Sequence, residues 1–88
     1  MSEKLITLSN IELAKLFGTN NQKLTRIKTL FPHIKIVARG EKIKLIGNID
    51  KIDNFEIKLV SFIKHIEQYN SLTISQIERL VEGDEKEI

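Results

Sequence analysis

The side chains of this sequence that could do chemistry are cations and amides placed around two short glycine turns. The first turn, Gly18-Thr19-Asn20-Asn21, is followed by Lys23 and Arg26, and the second turn, Gly40-Glu41, lies between Arg39 and Lys42. A turn that opens a helix presents unpaired backbone N–H groups and the positive end of the helix dipole, and both attract phosphate groups. We therefore predict an anion-binding surface with the following candidate residues: Gly18, Asn20, Asn21, Lys23, Arg26, Arg39 and Lys42.

Each part of this pattern also has a purely structural interpretation. Gly18 could simply end a helix, because glycine is common at that position, and the sequence does not decide between the two roles. We interpret Lys35 and Lys44 as the solvated outer face of a sheet, which also protects the sheet against edge-to-edge aggregation.

Residues suited to catalysis do not form a recognisable set. The chain has no cysteine and two histidines, His33 and His65, and we expect no acidic residue to assemble with either of them. Around Lys23, the phosphate-binding loop of nucleoside triphosphatases would need a glycine where Gln22 stands and a hydroxyl residue where Leu24 stands. We therefore expect that this chain is not an enzyme and holds no metal or cofactor of its own.

Length and charge indicate one small domain with two different surfaces. The chain has 88 residues, of which 41% are hydrophobic, enough for a single core. Residues 1–47 carry nine Lys or Arg and three acids, whereas residues 48–88 carry five and nine, so a basic half precedes an acidic half. No apolar run is long enough to span a membrane and the amino terminus lacks a signal-peptide pattern, so we expect a cytoplasmic protein without membrane association.

The first half of the sequence predicts one strand and two short helices. Residues 5–8 are β-prone, and Ser9–Glu12 has the pattern of a capping box that would open a helix ending at Gly18. A second helix follows the polar turn and ends before Pro32, because proline cannot continue the helical hydrogen bonds.

A hairpin and a long helix are predicted next. Residues 33–39 and 42–46 alternate apolar and polar side chains, which is typical of two half-buried strands joined by a tight turn. Asp50 or Asp53 would cap the following helix. Its apolar residues are spaced three and four apart, which predicts that they are buried: Ile52, Phe55, Leu59, Phe62, Ile66 and Tyr69.

A last amphipathic helix would begin with a capping box at Thr73–Gln76 and end at Gly83. The sequence thus predicts a domain over residues 1–83, followed by residues 84–88 as an acidic tail or the start of a linker. The predicted class is α+β, in the order β-α-α-β-β-α plus an additional C-terminal helix.

This order is that of the KH fold, in which a three-stranded sheet packs on helices and a G-x-x-G loop between two helices receives the nucleic-acid backbone. The loop here is Gly18–Asn21, with Asn21 in place of the second glycine. We therefore predict a KH-like domain that binds nucleic acid at this loop.

Several stretches of the chain also resemble the amino-terminal region of PhoH-like proteins, the phosphate starvation-inducible P-loop ATPases. The resemblance covers these stretches: Leu16–Leu24, Ile34–Lys44, Ile46–Gly47, Tyr69–Leu72 and Ile77–Leu80. Its most specific part is the turn Phe17–Asn21 combined with the strand Ile36–Gly40. The resemblance implies a KH-like domain that precedes a P-loop ATPase domain absent from this chain, and ATP and Mg²⁺ would belong to that absent domain.

The function that this resemblance implies is non-catalytic: the domain would deliver RNA, expected to be single-stranded, to the ATPase domain of the same polypeptide. Contacts to phosphates would dominate, so binding would be sensitive to salt and poor in sequence specificity. The alternative is an interaction or oligomerisation module, with the acidic C-terminal half docked on its own ATPase domain or on neighbouring subunits. Homo-oligomerisation is open under either interpretation.

Overall fold

The computed structural model describes residues 1–9 and 11–86, which form three strands and four α-helices. In chain order these are β1 (Ser2–Thr7), α1 (Leu13–Phe17), α2 (Gln22–Leu30), β2 (Ile34–Arg39), β3 (Lys42–Gly47), α3 (Ile49–Tyr69) and α4 (Ile74–Lys86). A short 3₁₀ turn, Thr19–Asn21, joins α1 to α2. The predicted α+β order, β-α-α-β-β-α with an additional C-terminal helix, is confirmed.

The three strands form one antiparallel sheet in the order β1-β3-β2. The β2–β3 hairpin is the one that the alternation predicts, and Gly40 turns it with a φ of +55°. The N–H of Leu8 donates to the carbonyl of Glu41 at 2.6 Å, which fixes the end of β1 beside the hairpin turn. One face of the sheet is buried, with Ile36, Ile43 and Leu45 in the core, so the alternate residues point away from the helices.

Helix α3 supplies the largest part of the core. Five of the six apolar residues predicted to be buried have less than a tenth of their surface exposed: Ile52, Phe55, Leu59, Phe62 and Ile66. Tyr69, by contrast, is 60% exposed, so its predicted burial is wrong. It is the last residue of the helix, where Asn70 turns the chain away, and its ring packs at 4.7 Å from that of His65 rather than in the core.

Two of the predicted helix starts differ from the structure. The cap of α3 is Asn48, whose side chain accepts the N–H of Asp50 at 3.0 Å, rather than Asp50 or Asp53. Helix α1 begins only at Leu13, with Glu12 at its cap and no side-chain bond there, so the predicted start at Ser9 is wrong. Asn10 of that predicted capping box lies outside the described residues.

Helix α4 begins as predicted but ends later. The N–H of Thr73 donates to the side-chain oxygen of Gln76 at 2.9 Å, and the N–H of Gln76 donates to the Thr73 hydroxyl at 3.2 Å. This reciprocal pair is the predicted capping box. The helix continues past Gly83 to Lys86, because a helical glycine costs only about 1 kcal/mol and the glutamate and lysine residues around it are good helix formers. Glu87 and Ile88 of the predicted acidic tail lie outside the described residues.

Polar contacts tie the helices to the sheet and to each other. The ammonium of Lys4 on β1 lies 2.5 Å from the carboxylate of Glu56 on α3, and this hydrogen bond raises the pKa of Lys4. Lys58 is 6% exposed and its ammonium donates to the carbonyl of Val81 in α4 at 3.2 Å.

Within the described residues, none of the helices combines the length and the apolar character that crossing a membrane demands.

Candidate nucleic-acid interface

The turn between α1 and α2 is exposed and is built from residues with positive φ. Gly18 has a φ of +80°, and Asn20 and Asn21 lie in the left-handed region at +55° and +58°. Asparagine adopts this region more readily than most residues because its short side chain can satisfy nearby backbone groups. The N–H of Asn21 donates to the carbonyl of Gly18 at 3.2 Å, so the turn is closed on itself while the two amide side chains face solvent.

Lys23 folds back over this turn. A Cβ atom added to Gly18 would lie 2.9 Å from Cγ of Lys23, and the Lys23 ammonium donates to the carbonyl of Lys15 in α1 at 3.0 Å. Gly18 is therefore required for internal packing, whether or not a ligand approaches it. The carbonyl is neutral, and no acidic side chain among the described residues pairs with Lys23, so its charge is uncompensated there and two of its three N–H donors remain for another acceptor.

Arg26 has an acidic partner inside the molecule. Its Nε lies 2.5 Å from Oε2 of Glu78 on α4, and a second guanidinium nitrogen contacts the same oxygen. Both groups are part-exposed, so this pair joins α2 to α4 at the surface while compensating the charge of Arg26. Arg26, one of the predicted candidates, is therefore paired with an acid in the folded chain.

The side chains of α2 do not offset the positive potential at its amino-terminal end. Asn21 makes no side-chain cap bond there, and the first turn of the helix holds no acid. Residues 13–30, which span α1, the turn and α2, include four Lys or Arg and no Asp or Glu. The turn therefore lies in a locally basic segment.

Arg39 and Lys42 lie elsewhere. Their strands place them directly opposite each other across β2 and β3, and their neighbours Ala38 and Ile43 point toward the helices. Both cations thus belong to the outer face of the sheet, whereas the turn belongs to the helical layer. The structure divides the predicted site into two parts, one formed by Gly18, Asn20, Asn21 and Lys23, and the other by Arg39 and Lys42.

Two further cations, Lys35 and Lys44, share the outer face with Arg39 and Lys42. The sequence indicates solvated residues at these two positions, although the alternation along the hairpin already places them on the same side of the sheet as Arg39 and Lys42. Leu5 completes the surface, because β1 pairs with β3 and brings Leu5 opposite Lys44. That long-range pairing has no local sequence signal.

The two histidines have separate surroundings in the part of the chain described here. Nδ1 of His65 lies 2.9 Å from the carbonyl of Ser71, and His33 is exposed before β2. Among the described residues, no three histidine, aspartate or glutamate side chains come together as a metal ion would need.

Comparisons of the chain with protein-family models, with curated proteins and with solved structures found no match. The resemblance to PhoH-like proteins therefore depends on the sequence stretches quoted above.

Proposed function

We propose that this chain is a non-catalytic nucleic-acid-binding domain with a KH-like fold, which contacts the phosphates of single-stranded RNA at the Gly18–Asn21 turn. One observation carries the proposal: an exposed, left-handed turn lies between two helices that hold cations and no acid, with the uncompensated ammonium of Lys23 folded over it.

The turn offers three kinds of contact to a polyanion. The side-chain amides of Asn20 and Asn21 can donate to phosphate oxygens or to a ribose 2′-hydroxyl. The first N–H groups of α2 and the helix dipole favour a phosphate at the same end, and Lys23 adds a full charge. Because these contacts address the backbone rather than the bases, binding is weak in sequence preference and falls steeply with salt.

The resemblance to PhoH-like proteins supports the wider context of this proposal. In a parent protein of that kind, the domain presents RNA to a P-loop ATPase domain of the same polypeptide, and ATP and Mg²⁺ act in that other domain. The proposal for this chain concerns RNA binding alone.

Replacing Asn20 and Asn21 with aspartate tests the turn. The two carboxylates repel phosphate, yet aspartate also tolerates the left-handed region and a negative charge stabilises the amino-terminal end of a helix. We expect the double variant to bind a labelled single-stranded RNA at least about tenfold more weakly at low salt, which corresponds to about 1.4 kcal/mol. Its melting temperature should not fall. Fluorescence anisotropy and thermal unfolding measure the two quantities.

The matched control carries the same change of net charge away from the turn. Asn54→Asp with Gln68→Glu alters two exposed residues of α3 and should leave RNA affinity close to that of the wild type. Equal affinities for the turn variant and the wild type, in a protein that does bind RNA, would exclude the turn as the binding site.

A second candidate function is a protein-interaction module, and one surface favours it. Ile49, Ile57 and Val60 share one face of α3 and are 48%, 61% and 45% exposed. Exposed aliphatic residues on one helical face are typical of a docking surface, here for the absent ATPase domain or a neighbouring subunit. Absence of RNA binding at any salt concentration, together with self-association in sedimentation equilibrium, would favour this candidate over the first.

A further inference from the structure

The outer face of the sheet is a basic surface that also carries aliphatic side chains. Its outward side chains form three cross-strand rows, which are Glu3–Ile46–Lys35, Leu5–Lys44–Val37 and Thr7–Lys42–Arg39. Four of these nine side chains are cations and one is an acid, so the face has a net charge of +3. No helix covers this face in the part of the chain that the structure describes.

Repulsion between two cations of this face lowers the stability of the folded state. Arg39 and Lys42 are direct cross-strand neighbours, and like charges at such positions destabilise a sheet. The other neighbour of Lys42 is Thr7, which cannot compensate the charge. The acid of the face, Glu3, is 3.5 Å from Lys44 on the neighbouring strand, and so compensates that lysine rather than Arg39 or Lys42. A local arrangement that opposes stability is expected where a surface serves binding.

Apolar side chains lie between the cations. A concavity of about 450 Å³ is lined by the aliphatic residues Leu5, Val37 and Ile46 and by the four cations Lys35, Arg39, Lys42 and Lys44. This volume is within the range of ligand-binding clefts. The surface thus places charged and aliphatic side chains beside one another.

We propose that this outer face is a second binding site for single-stranded nucleic acid. The four cations contact phosphates, and the bases pack against Leu5, Val37 and Ile46. The inference takes its class of ligand from the proposed function, whereas its location depends on the sheet alone.

The shape of the surface favours this ligand over other polyanions. A duplex keeps the faces of its bases stacked inside, so it could use the charges but not the aliphatic side chains. Insertion into an anionic bilayer requires a broad apolar surface, whereas here three aliphatic side chains line a concavity among four cations. The face has no aromatic residue, so bases would bind it without strong sequence preference.

Neutralising three cations of the face tests the inference. The variant Lys35→Gln, Arg39→Gln, Lys42→Gln is compared with Lys51→Gln, Lys64→Gln, Arg79→Gln, which also removes two lysines and one arginine from exposed positions. Anisotropy of a labelled oligouridylate, measured over a series of salt concentrations, gives the dependence of log K on log salt. Each lost phosphate contact lowers the magnitude of this slope by about 0.7 for a single strand, so we expect a reduction of about 2 for the face variant and none for the control.

The melting temperature of the face variant separates a binding effect from misfolding. We expect it to stay constant or rise, since the substitutions remove the repulsion between Arg39 and Lys42. A slope equal to that of the control would overturn the inference. It would also be overturned if phosphatidylserine vesicles bound in a face-dependent manner while the oligonucleotide did not, or if an acidic peptide bound this face more tightly than the oligonucleotide and displaced it.

Different experimental results would contradict the two proposed binding sites. If the Asn20→Asp, Asn21→Asp variant loses affinity while the face variant matches its control, the second site is wrong and the proposed function stands. If the face variant loses affinity and the turn variant does not, the second site holds and the turn is excluded. A wild-type protein that binds no oligonucleotide at low salt overturns both.

Discussion

At the scale of single residues, the turn between α1 and α2 shows why one glycine and two asparagines are needed. Gly18 combines a φ of +80° with a ψ of 173°, a conformation that is almost restricted to glycine. Asn20 and Asn21 have φ angles of +55° and +58°, which asparagine tolerates. The glycine therefore makes the sharp exit from α1, and the asparagines complete the turn while keeping their amides in solvent.

Gly18→Ala should destabilise the fold by about 2–3 kcal/mol. The alanine would adopt a strained backbone conformation, and its Cβ would lie 2.9 Å from the Lys23 side chain. Gly40→Ala is the matched comparison, because Gly40 also has a positive φ but nothing lies within 4 Å of the added Cβ. We expect about 1 kcal/mol there. Urea unfolding of both variants measures the difference, and equal losses would show that the contact with Lys23 does not matter.

At the scale of elements, local sequence signals predicted the structure correctly where the interacting residues are close together in the chain. The hairpin alternation, the end of α2 before Pro32 and the Thr73–Gln76 box are all present in the structure. The start of α1 was predicted wrongly because the Ser9–Glu12 pattern also fits a connection that is not yet helical. Capping patterns identify a helix, but the first residue of that helix depends on how the preceding strand ends.

Removing the cap of α4 should weaken that helix. In Thr73→Ala, the N–H of Gln76 loses its hydroxyl partner, and we expect a loss of about 1 kcal/mol in the free energy of unfolding. Ser75→Ala, two residues further along the chain and exposed, is the control and should be neutral or slightly stabilising, since alanine is the better helix former. Hydrogen exchange in α4 should accelerate in Thr73→Ala alone. The same exchange rates in both variants would argue against a capping role.

At the scale of the whole molecule, the basic and acidic halves are partly joined by ion pairs. Lys4 pairs with Glu56 and Arg26 pairs with Glu78, and each pair links residues 1–47 to residues 48–88. These ion pairs compensate part of the positive charge of residues 1–47 within the fold. Lys23 beside the turn and the outer face of the sheet keep uncompensated positive charge, which is why both proposals concern those two surfaces.

Helix α4 belongs to the same core as the rest of the fold, although the order β-α-α-β-β-α would be complete without it. Leu72 and Ile77 have no exposed surface. We expect Ile77→Ala to cost about 2–5 kcal/mol, as much as Ile52→Ala on α3, with a single cooperative unfolding transition in each case. A loss below about 1 kcal/mol for Ile77→Ala alone would identify α4 as an appendage.

The sequence by itself determined the elements, their order and the positions of the two turns. These features depend on periodicity, on glycine and proline and on caps, all of which act within a few residues. Tertiary structure decided which cations are available to a ligand. Arg26 meets an acid 52 residues away, and the pairing of β1 with β3 sets Leu5 beside Lys44. Contacts across such separations arise from the packing of whole elements, and the spacing of residues along the chain does not encode them.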